Sequence, residues 1–423
     1  MDDNVRLEKL SANFFGVLDN KDISDEVKLK KIKYIASLGG NVNIKDLNSN
    51  SLLHYAVKKT GVKVVSWLLD MGVNKNGLNK YDETPLIVAT KYNNREVVDL
   101  LCNKRVRLEK CDLSGRTALM AASANGYEDI VKILIKSGAN LDTLSYDMFD
   151  PAISYAVQNK HYGVMKILIE NGADVNIDNQ ETITPLARSV DGRDVEAAKL
   201  LIDAGADINF KDDLIETVLY DAIRNKDLEM VELLLDNGAN IETKTRKDIT
   251  PLMVAYETGD EWIVKELEKR GANRKQRTIT DEDMLMFAIK GKNVELIRHA
   301  IKLGDDVNRR TFYYNSTPLL VACLTGDENV VEELISRGAR IERKVWEDKR
   351  VLEVMVSRKS YDVNKYSKVV KCLVKNGAKV YQSDINSAFN EGYSDDVIEC
   401  LKEANKKQDD KSYFAKFKEW GKF

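Results

Sequence analysis

The sequence contains few of the residues from which catalytic and metal-binding sites are usually built. Its three histidines, His54, His161 and His299, lie far apart along the chain, and its five cysteines show no Cys-x-x-Cys spacing. It has neither a glycine-rich phosphate loop nor the acidic pattern of a calcium loop. Zinc sites and disulfide frameworks need cysteines or histidines at characteristic spacings, which are missing here. We therefore expect a protein without enzyme activity, without a bound metal and without a cofactor.

A strong charge imbalance and long apolar segments are also missing. The formal net charge is −3 and the isoelectric point is about 5.9, whereas nucleic-acid binders usually carry a basic face that neutralises phosphates. No apolar stretch reaches the length that spans a bilayer, and the segment after Met1 lacks the pattern of a secretory signal. These absences predict a cytoplasmic protein without a transmembrane segment or a nucleic-acid partner, and they leave open non-classical secretion as an effector.

A short motif returns along the chain every 33 or 34 residues. Clear copies begin with Thr-Pro-Leu at Thr84, Thr184, Thr250 and Thr317. Weaker copies begin at Ser51, Thr117, Asp150, Thr217, Asp283, Arg350 and Asp384. A glycine followed by a small residue keeps the same period from Gly39 to Gly377. Two independent markers with one period indicate a repeat protein.

Two short amphipathic helix patterns lie between each motif and the next glycine. Apolar residues such as Ile130, Val131, Leu134 and Ile135 recur at the i, i+1, i+4, i+5 spacing of one helix face. Threonine before proline is a favourable helix start, and glycine is a favourable helix end. Because one helix pair cannot bury its apolar face alone, the pairs must stack on one another. Twelve such pairs fit the chain.

In these features the chain resembles the ankyrin repeat family, and the resemblance covers nearly all of it. The period, the Thr-Pro-Leu motif and the Gly-Ala-Asp-Val-Asn segment at Gly172 match the family pattern. Departures are Lys104-Arg105 in place of Gly-Ala, Arg350-Val351 in place of Thr-Pro, and a longer spacing from Gly338 to Gly377 that implies an insertion near residues 360–365. The resemblance implies an all-α solenoid of stacked helix-turn-helix units with short β-hairpin fingers and a concave binding face.

The two ends of the chain differ from the repeats between them. We predict an N-terminal capping repeat at residues 1–45, with Phe14, Phe15, Val17 and Leu18 inward, then a repeat array at 46–378, a C-terminal capping repeat at 379–404 and an aromatic, basic helix at 405–423. Five aromatic residues of this last segment fall on one helical face. The helix would either cover the last repeat or dock on a partner or a membrane surface.

The charge along the chain is uneven. Residues 142–244 contain 21 acidic and 9 basic residues, whereas residues 46–141 contain 10 acidic and 14 basic residues. An acidic surface attracts a basic partner and speeds its association. Acidic residues also aid solubility, so the block by itself does not establish a binding site.

The family resemblance implies that partners bind at the finger tips and at the ends of the first helices. The tips carry more aromatic residues than polar turns normally do, and aromatic anchors are common at interfaces. The predicted tip residues are Tyr81, Tyr146, Asp147, Phe149, Asp213, Leu214, Tyr313, Tyr314 and Trp346. The predicted helix-end residues are Lys91, Tyr92, Gln158, Asp191 and Arg224. Phe149 could equally pack onto the neighbouring finger.

These observations predict a non-enzymatic scaffold, monomeric when alone, that binds a protein partner. The acidic block favours an inhibitor or immunity-type factor that covers a basic site on its target. The alternative is a secreted effector or membrane-recruited adaptor that docks through the C-terminal helix. An enzyme would need an unfamiliar site hidden in the stretched repeat, which no motif in the sequence favours.

Overall fold

The computed structural model describes residues 3–179, 183–312, 315–357 and 363–420, with the side chains of 3–5, 59, 363–364 and 409–420 excepted. In these ranges the chain forms 24 α-helices and a 3-10 helix at Trp346–Asp348. The helices are α1 (Asp3–Asp19), α2 (Asp25–Ser37), α3 (Leu52–Lys59), α4 (Val62–Asp70), α5 (Pro85–Lys91), α6 (Arg95–Asn103), α7 (Ala118–Ala124), α8 (Glu128–Lys136), α9 (Ala152–Gln158), α10 (Tyr162–Glu170), α11 (Pro185–Asp191), α12 (Val195–Asp203), α13 (Val218–Arg224), α14 (Leu228–Asp236), α15 (Pro251–Thr258), α16 (Glu261–Lys269), α17 (Met284–Lys290), α18 (Val294–Lys302), α19 (Pro318–Thr325), α20 (Glu328–Ser336), α21 (Val351–Val356), α22 (Val363–Lys375), α23 (Gln382–Asn390) and α24 (Asp395–Trp420).

The helices pack as twelve consecutive pairs. Helix α7 contacts its pair partner α8 and the first helices of the neighbouring pairs, α5 and α9. Helix α8 in turn contacts the second helices α6 and α10. Contact between odd-numbered helices and between even-numbered helices is the pattern of a stack in which each pair meets only its neighbours. We call the odd-numbered helices first helices and the even-numbered ones second helices.

First helices begin where the sequence motif predicts them to begin. The Oγ1 atom of Thr117 accepts the backbone N–H of Met120 at 3.3 Å and so caps α7. Proline follows the capping threonine in four helices, at the position where a missing N–H costs no helical hydrogen bond. These four capping residues are Thr84, Thr184, Thr250 and Thr317.

Most second helices end at a glycine with left-handed backbone. Gly138 has φ +91° and Gly172 has φ +87°, a conformation that glycine adopts without steric cost. The third repeat differs, because Arg105 has φ +53° and Val106 is buried like the alanine of other repeats. The prediction that Lys104-Arg105 replace the Gly-Ala pair is therefore wrong by one residue: Arg105-Val106 take those places.

Neighbouring pairs within residues 1–212, and likewise within residues 213–423, bury their apolar faces against each other. Ile130, Val131 and Leu134 of α8 have no exposed surface, and the equivalent residues of α14 are buried in the same way. Burial of one such side chain stabilises the fold by about 1.5–3 kcal/mol. The interfaces between pairs therefore supply the stability that a single pair lacks.

The first pair and the stretched repeat show how the pattern varies. Phe14 and Leu18 are fully buried, and Phe15 is half buried with its ring centroid 4.8 Å from that of Tyr55. In the stretched repeat, α22 has 13 residues whereas α20 has 9. The longer helix takes up part of the predicted insertion, and residues 358–362 lie outside the described ranges.

The contacts divide the chain into two compact units, Met1–Asp212 and Asp213–Phe423. We call them the first and the second unit and describe the surface of each by itself. Among the described helices, none is both long enough and apolar enough to cross a bilayer.

Candidate interaction surface

A short loop, which we call a finger, precedes most first helices. In the finger at Asp46, Oδ1 accepts the N–H groups of Asn48 at 2.8 Å and Asn50 at 2.7 Å. Asn79, Asp112 and Thr245 accept the equivalent pairs of bonds. One polar side chain thus closes each loop, as Asx and hydroxyl turns do. The fully described fingers span 46–50, 79–83, 112–116 and 145–150 in the first unit, 212–216 at the boundary of the two units, and 245–249, 278–282 and 345–349 in the second. The finger that begins at Thr311 is described apart from residues 313 and 314.

The side chain directly after the first finger residue points to solvent and is large and apolar in most of these fingers. Leu47 is fully exposed, Tyr146 is 65% exposed and Phe312 is 88% exposed. The folded finger does not require an apolar residue at this place, because Lys80 occupies it in another finger. The other exposed apolar residues in this register are Leu113, Ile279 and Trp346.

The predicted tip residues are mostly exposed. Those open to solvent are Tyr81, Tyr146, Asp147, Asp213, Leu214 and Trp346. Phe149 is half buried with φ +53°, and Tyr313 and Tyr314 lie outside the described residues. Sequence reasoning missed Leu47, Leu113, Ile279 and Phe312. The signal that marks them is the Asp, Ser or Thr immediately before each, five or six residues ahead of the residue that starts the helix motif.

The backbone of Tyr146 is held firmly by the preceding finger. Its N–H donates to the carbonyl oxygen of Ser114 at 2.8 Å. Gly115, with φ +75°, lies against Tyr146 so closely that a side chain there would collide with it. The exposed tyrosine ring therefore extends from a fixed backbone position.

Three of the five predicted helix-end residues bind their own finger. Lys91 Nζ lies 2.8 Å from Glu83 Oε1 and 3.0 Å from Asp112 Oδ2. Equivalent contacts at the same spacing join Gln158 to Asp150, Arg224 to Glu216 and Lys290 to Glu282. These contacts hold each finger against the end of its first helix, a role that the sequence analysis did not anticipate. The two other predicted helix-end residues, Tyr92 and Asp191, are exposed.

Acidic residues dominate three consecutive loops of the first unit. The segments 139–149, 173–183 and 206–212 contain seven acidic residues and one basic residue. Asp147, Asp174, Asp178 and Asp207 are exposed. Two of them also shape the loops: Asp174 accepts the N–H of Asn176 at 2.8 Å, and Asp207 accepts that of Asn209 at 2.9 Å. In both residues the oxygen that accepts this bond is Oδ1.

Comparison with known proteins identifies the family. The family model for ankyrin repeats in three copies matches six overlapping stretches that together cover residues 24–345. The chain belongs to the ankyrin repeat family. Ankyrin repeat proteins generally mediate protein–protein interaction, and the fold is typically a non-enzymatic scaffold.

Individual relatives match parts of this ankyrin repeat chain. The fowlpox virus (strain NVSL) ankyrin repeat protein FPV031 is 34% identical over 144 residues, which are 33% of this chain and 42% of the relative. The fowlpox virus protein FPV034 is 31% identical over 126 residues, which are 30% and 29% of the two chains. The ankyrin repeat domain of Bcl-3 has a TM-score of 0.50 and 25% identity, over 52% of this chain and 99% of that domain. The matches span less than half of these two curated relatives.

One ankyrin repeat interface in the second unit contains a polar network. Asp305 stands where most other repeats have alanine, and Arg274 stands where most of them have valine, isoleucine or leucine. Arg274 Nη2 lies 3.0 Å from Asp305 Oδ2, and both side chains are about four-fifths buried. Burial raises the pKa of Asp305 to about 6 although Arg274 lowers it.

The same network extends to the neighbouring helices. Arg274 Nε lies 3.2 Å from Glu268 Oε1. The hydroxyl of the fully buried Tyr256 donates to Glu268 Oε1 at 2.8 Å, and His299 Nε2 lies 2.8 Å from Glu268 Oε2. Most of the buried polar groups around Asp305 and Arg274 therefore have hydrogen-bonding or ionic partners. A polar group without a partner is costly in the low dielectric of an interior.

His54 has a structural role within the repeats. It is fully buried, with Nδ1 2.8 Å from Ser51 Oγ and Nε2 3.0 Å from the carbonyl oxygen of Glu83. Burial lowers its pKa. His54 thus connects one finger to the first helix of the preceding repeat.

One group in the described part of the chain has ligand atoms close enough for a metal ion. Atoms of Glu328, Glu332 and Cys372 lie within 4.8 Å of one another. Glu332 already pairs with Lys375 at 3.4 Å, and the Cys372 sulfur accepts from Asn376. Burial raises the pKa of Cys372 to about 11, which disfavours the thiolate that binds metals. We therefore assign no metal to this group.

The C-terminal segment continues the last ankyrin repeat helix. Helix α24 runs from Asp395 to Trp420 without interruption, so residues 405–420 extend it in line. Gln408 accepts the N–H of Val380 at 3.3 Å and donates to the carbonyl oxygen of Ala378 at 3.4 Å. The side chains beyond Gln408 lie outside the described ones, so covering the last repeat and docking elsewhere both remain predictions.

Proposed function

We propose that the chain is a scaffold that binds a protein partner through the fingers of its first unit, and that the partner presents a basic surface there. The observation that supports this most directly is the finger at Tyr146. It combines a 65% exposed aromatic ring, a fixed backbone and acidic loops on the same unit. An anchor that is already in place loses little freedom when it binds.

The exposed carboxylates explain why the partner should be basic. Asp147 follows Tyr146 directly, and Asp174, Asp178 and Asp207 belong to the two connecting loops that come next along the chain. Charges at the rim of an interface mainly raise the association rate, and salt screens them. A chain that covers a basic site on its partner would also keep that site from its other ligands, which is how an inhibitor or immunity-type factor acts.

A matched pair of variants tests the proposal. Tyr146→Ser with Met148→Ser removes the apolar tip, and Tyr34→Ser with Leu38→Ser removes similarly exposed residues from α2. Partners are captured with the wild-type chain, and their affinity is then measured with purified proteins. We expect the tip variant to bind at least tenfold more weakly, because central aromatic anchors contribute about 2 kcal/mol or more. The α2 variant should bind like the wild type.

Ionic strength tests the charge of the partner. We expect the association rate to fall as salt rises, and to fall again at low salt in the Asp147→Asn and Asp178→Asn variant. A partner whose association rate is unaffected by salt contradicts the basic-surface proposal. A partner that binds the tip variant and the wild type equally contradicts the finger site itself.

A further inference from the structure

The fingers of the second unit carry a row of cations. The residue just before the first finger residue is basic in four consecutive repeats, at Lys244, Arg277, Arg310 and Lys344. The fold does not demand this, because the same place in the first unit is taken by Leu78, Cys111, Leu144 and Asp178 as well as by Lys45 and Lys211. The basic residues at this place are therefore not needed to form the repeat.

A row of apolar side chains accompanies the cations. Ile279, Phe312 and Trp346 directly follow the first residues of three successive fingers and are 51%, 88% and 45% exposed. The first finger residues between the two rows are buried: Thr278, Thr311 and Val345. In an extended chain, residues two apart lie on one face. Each of these three fingers thus presents a basic and an apolar side chain on the same face.

The fingers that carry these rows are held to one another. Arg310 Nη2 donates to the carbonyl oxygen of Lys344 at 2.6 Å, and Asn315 Nδ2 donates to that of Val345 at 3.4 Å. Beside Trp346, a cavity of about 160 Å³ is lined by Trp346, Glu347, Lys349, Val354 and Ser357. It offers a recess for one apolar side chain of a ligand.

The remaining cations are accessible. Arg277 is 49% exposed and Lys344 is 58% exposed, and their acidic contacts, Asp281 and Asp348, lie four residues along within the same fingers. The Lys344–Asp348 pair is exposed on both sides, and such pairs are weak and exchange readily. Asp281 is 12% exposed and is also bound by Arg309, so it keeps a partner when Arg277 turns to a ligand. An incoming carboxylate can therefore replace or share these contacts.

We propose that these two rows form a second binding site, for an extended acidic protein segment in which carboxylates alternate with apolar side chains. An alternating segment places both kinds of side chain along one strand-like ligand, as the fingers do. A nucleic acid fits less well, because Ile279 has no ring on which a base can stack, and because the exposed Glu347 and Asp348 would repel a continuous line of phosphates. This site lies in the second unit and does not depend on the basic partner proposed for the first.

The test uses the full chain and fluorescence anisotropy with a labelled peptide of alternating glutamate and leucine. The charge variant is Lys244→Gln, Arg277→Gln and Lys344→Gln; Arg310 is kept because it ties two fingers together. Its matched control is Lys226→Gln, Lys292→Gln and Lys302→Gln, which removes three exposed cations outside the fingers. We expect the charge variant to bind about tenfold more weakly, since three exposed pairs are lost, and the control to bind like the wild type.

The apolar row has its own variant and control. Ile279→Ser with Phe312→Ser should weaken peptide binding, and Trp262→Ser, which removes a 69% exposed tryptophan from α16, should not. Equal binding of a lysine–leucine peptide, or equal binding by the finger variants and the wild type, would overturn the proposal. Tighter binding of oligouridylate with the same variant pattern would assign the site to nucleic acid instead. Self-association of the wild type that the finger variants abolish would assign it to a second copy of the chain.

Discussion

Replacing Asp305 with alanine should make the protein more stable relative to the wild type as the pH rises from acid to neutral. The side chain is 21% exposed, and the raised pKa of about 6 means that the folded state disfavours its charge. Other repeats have alanine at this place, buried at Ala206, Ala239 and Ala272. The substitution therefore restores the residue that the interface accommodates elsewhere in the chain.

The size and pH dependence of the effect follow from the pKa. Between about pH 4 and pH 6 the folded state holds the Asp305 proton more tightly than the unfolded chain does, so the wild type loses stability as pH rises through this window. A shift of about two pKa units corresponds to about 3 kcal/mol, which the remaining exposure reduces to about 2 kcal/mol. Arg274 keeps Glu268 as its partner in the variant. Between pH 4 and pH 7, Asp305→Ala should therefore gain about 2 kcal/mol in stability relative to the wild type.

The difference in the free energy of unfolding is measured by urea unfolding, followed by circular dichroism across this pH range. The proteins compared are the wild type, Asp305→Ala and the control Glu229→Ala. Glu229 is an exposed residue of α14, so its removal should leave the pH dependence unchanged. A second variant, Arg274→Ile, should be less stable than the wild type, because it leaves the buried carboxylate without its guanidinium. The reasoning is refuted if the stability difference between Asp305→Ala and the wild type does not grow from acid to neutral pH.

Four further substitutions test single features of the repeats. Arg105→Gly should raise the free energy of unfolding by about 1 kcal/mol, since glycine adopts left-handed backbone without the cost that arginine incurs, and Gly138→Ala should lower it by a similar amount in the same urea assay. His54 has a lowered pKa in the folded state, so wild-type stability should fall as pH drops below about 6.5, and His54→Gln should be less stable at neutral pH but lose less on acidification. Asn79→Ala removes the acceptor that closes its finger, and hydrogen exchange of the Tyr81 amide should become faster, whereas unchanged exchange would show that the backbone alone holds the finger.

The helices were predictable because their signals are local. The caps at threonine, the prolines that follow them and the apolar spacing of α8 and α14 act within a few residues of the sequence. Phe14 and Leu18 could likewise be placed in the core from the pattern of one helix. Arg105 was placed one residue out because, without a glycine, only the backbone conformation shows which residue ends the helix.

The surface was predicted less completely because it depends on contacts between repeats. Lys91, Gln158 and Arg224 were expected to face a partner, yet each binds its own finger, eight residues earlier. Tyr146 and Trp346 were predicted to lie at the finger tips because aromatic residues are unusual in a polar turn. Leu47 and Phe312 were missed because residue type does not indicate that they are exposed. They are exposed because each directly follows the buried first residue of a finger.

Alignment of the repeats within the chain separates what the fold requires from what it permits. A place that accepts leucine, cysteine and aspartate in the first unit, beside Lys45 and Lys211, imposes no chemistry. The unbroken run of four cations in the second unit therefore favours a cause outside the fold. The same comparison identifies Asp305 and Arg274 as polar residues at places that are apolar in most repeats. They lie in consecutive repeats and contact each other. An isolated polar substitution in a buried interface would be costly, whereas a paired one can persist. We therefore expect deviations that are paired inside the structure to affect stability, and periodic deviations on its surface to affect binding.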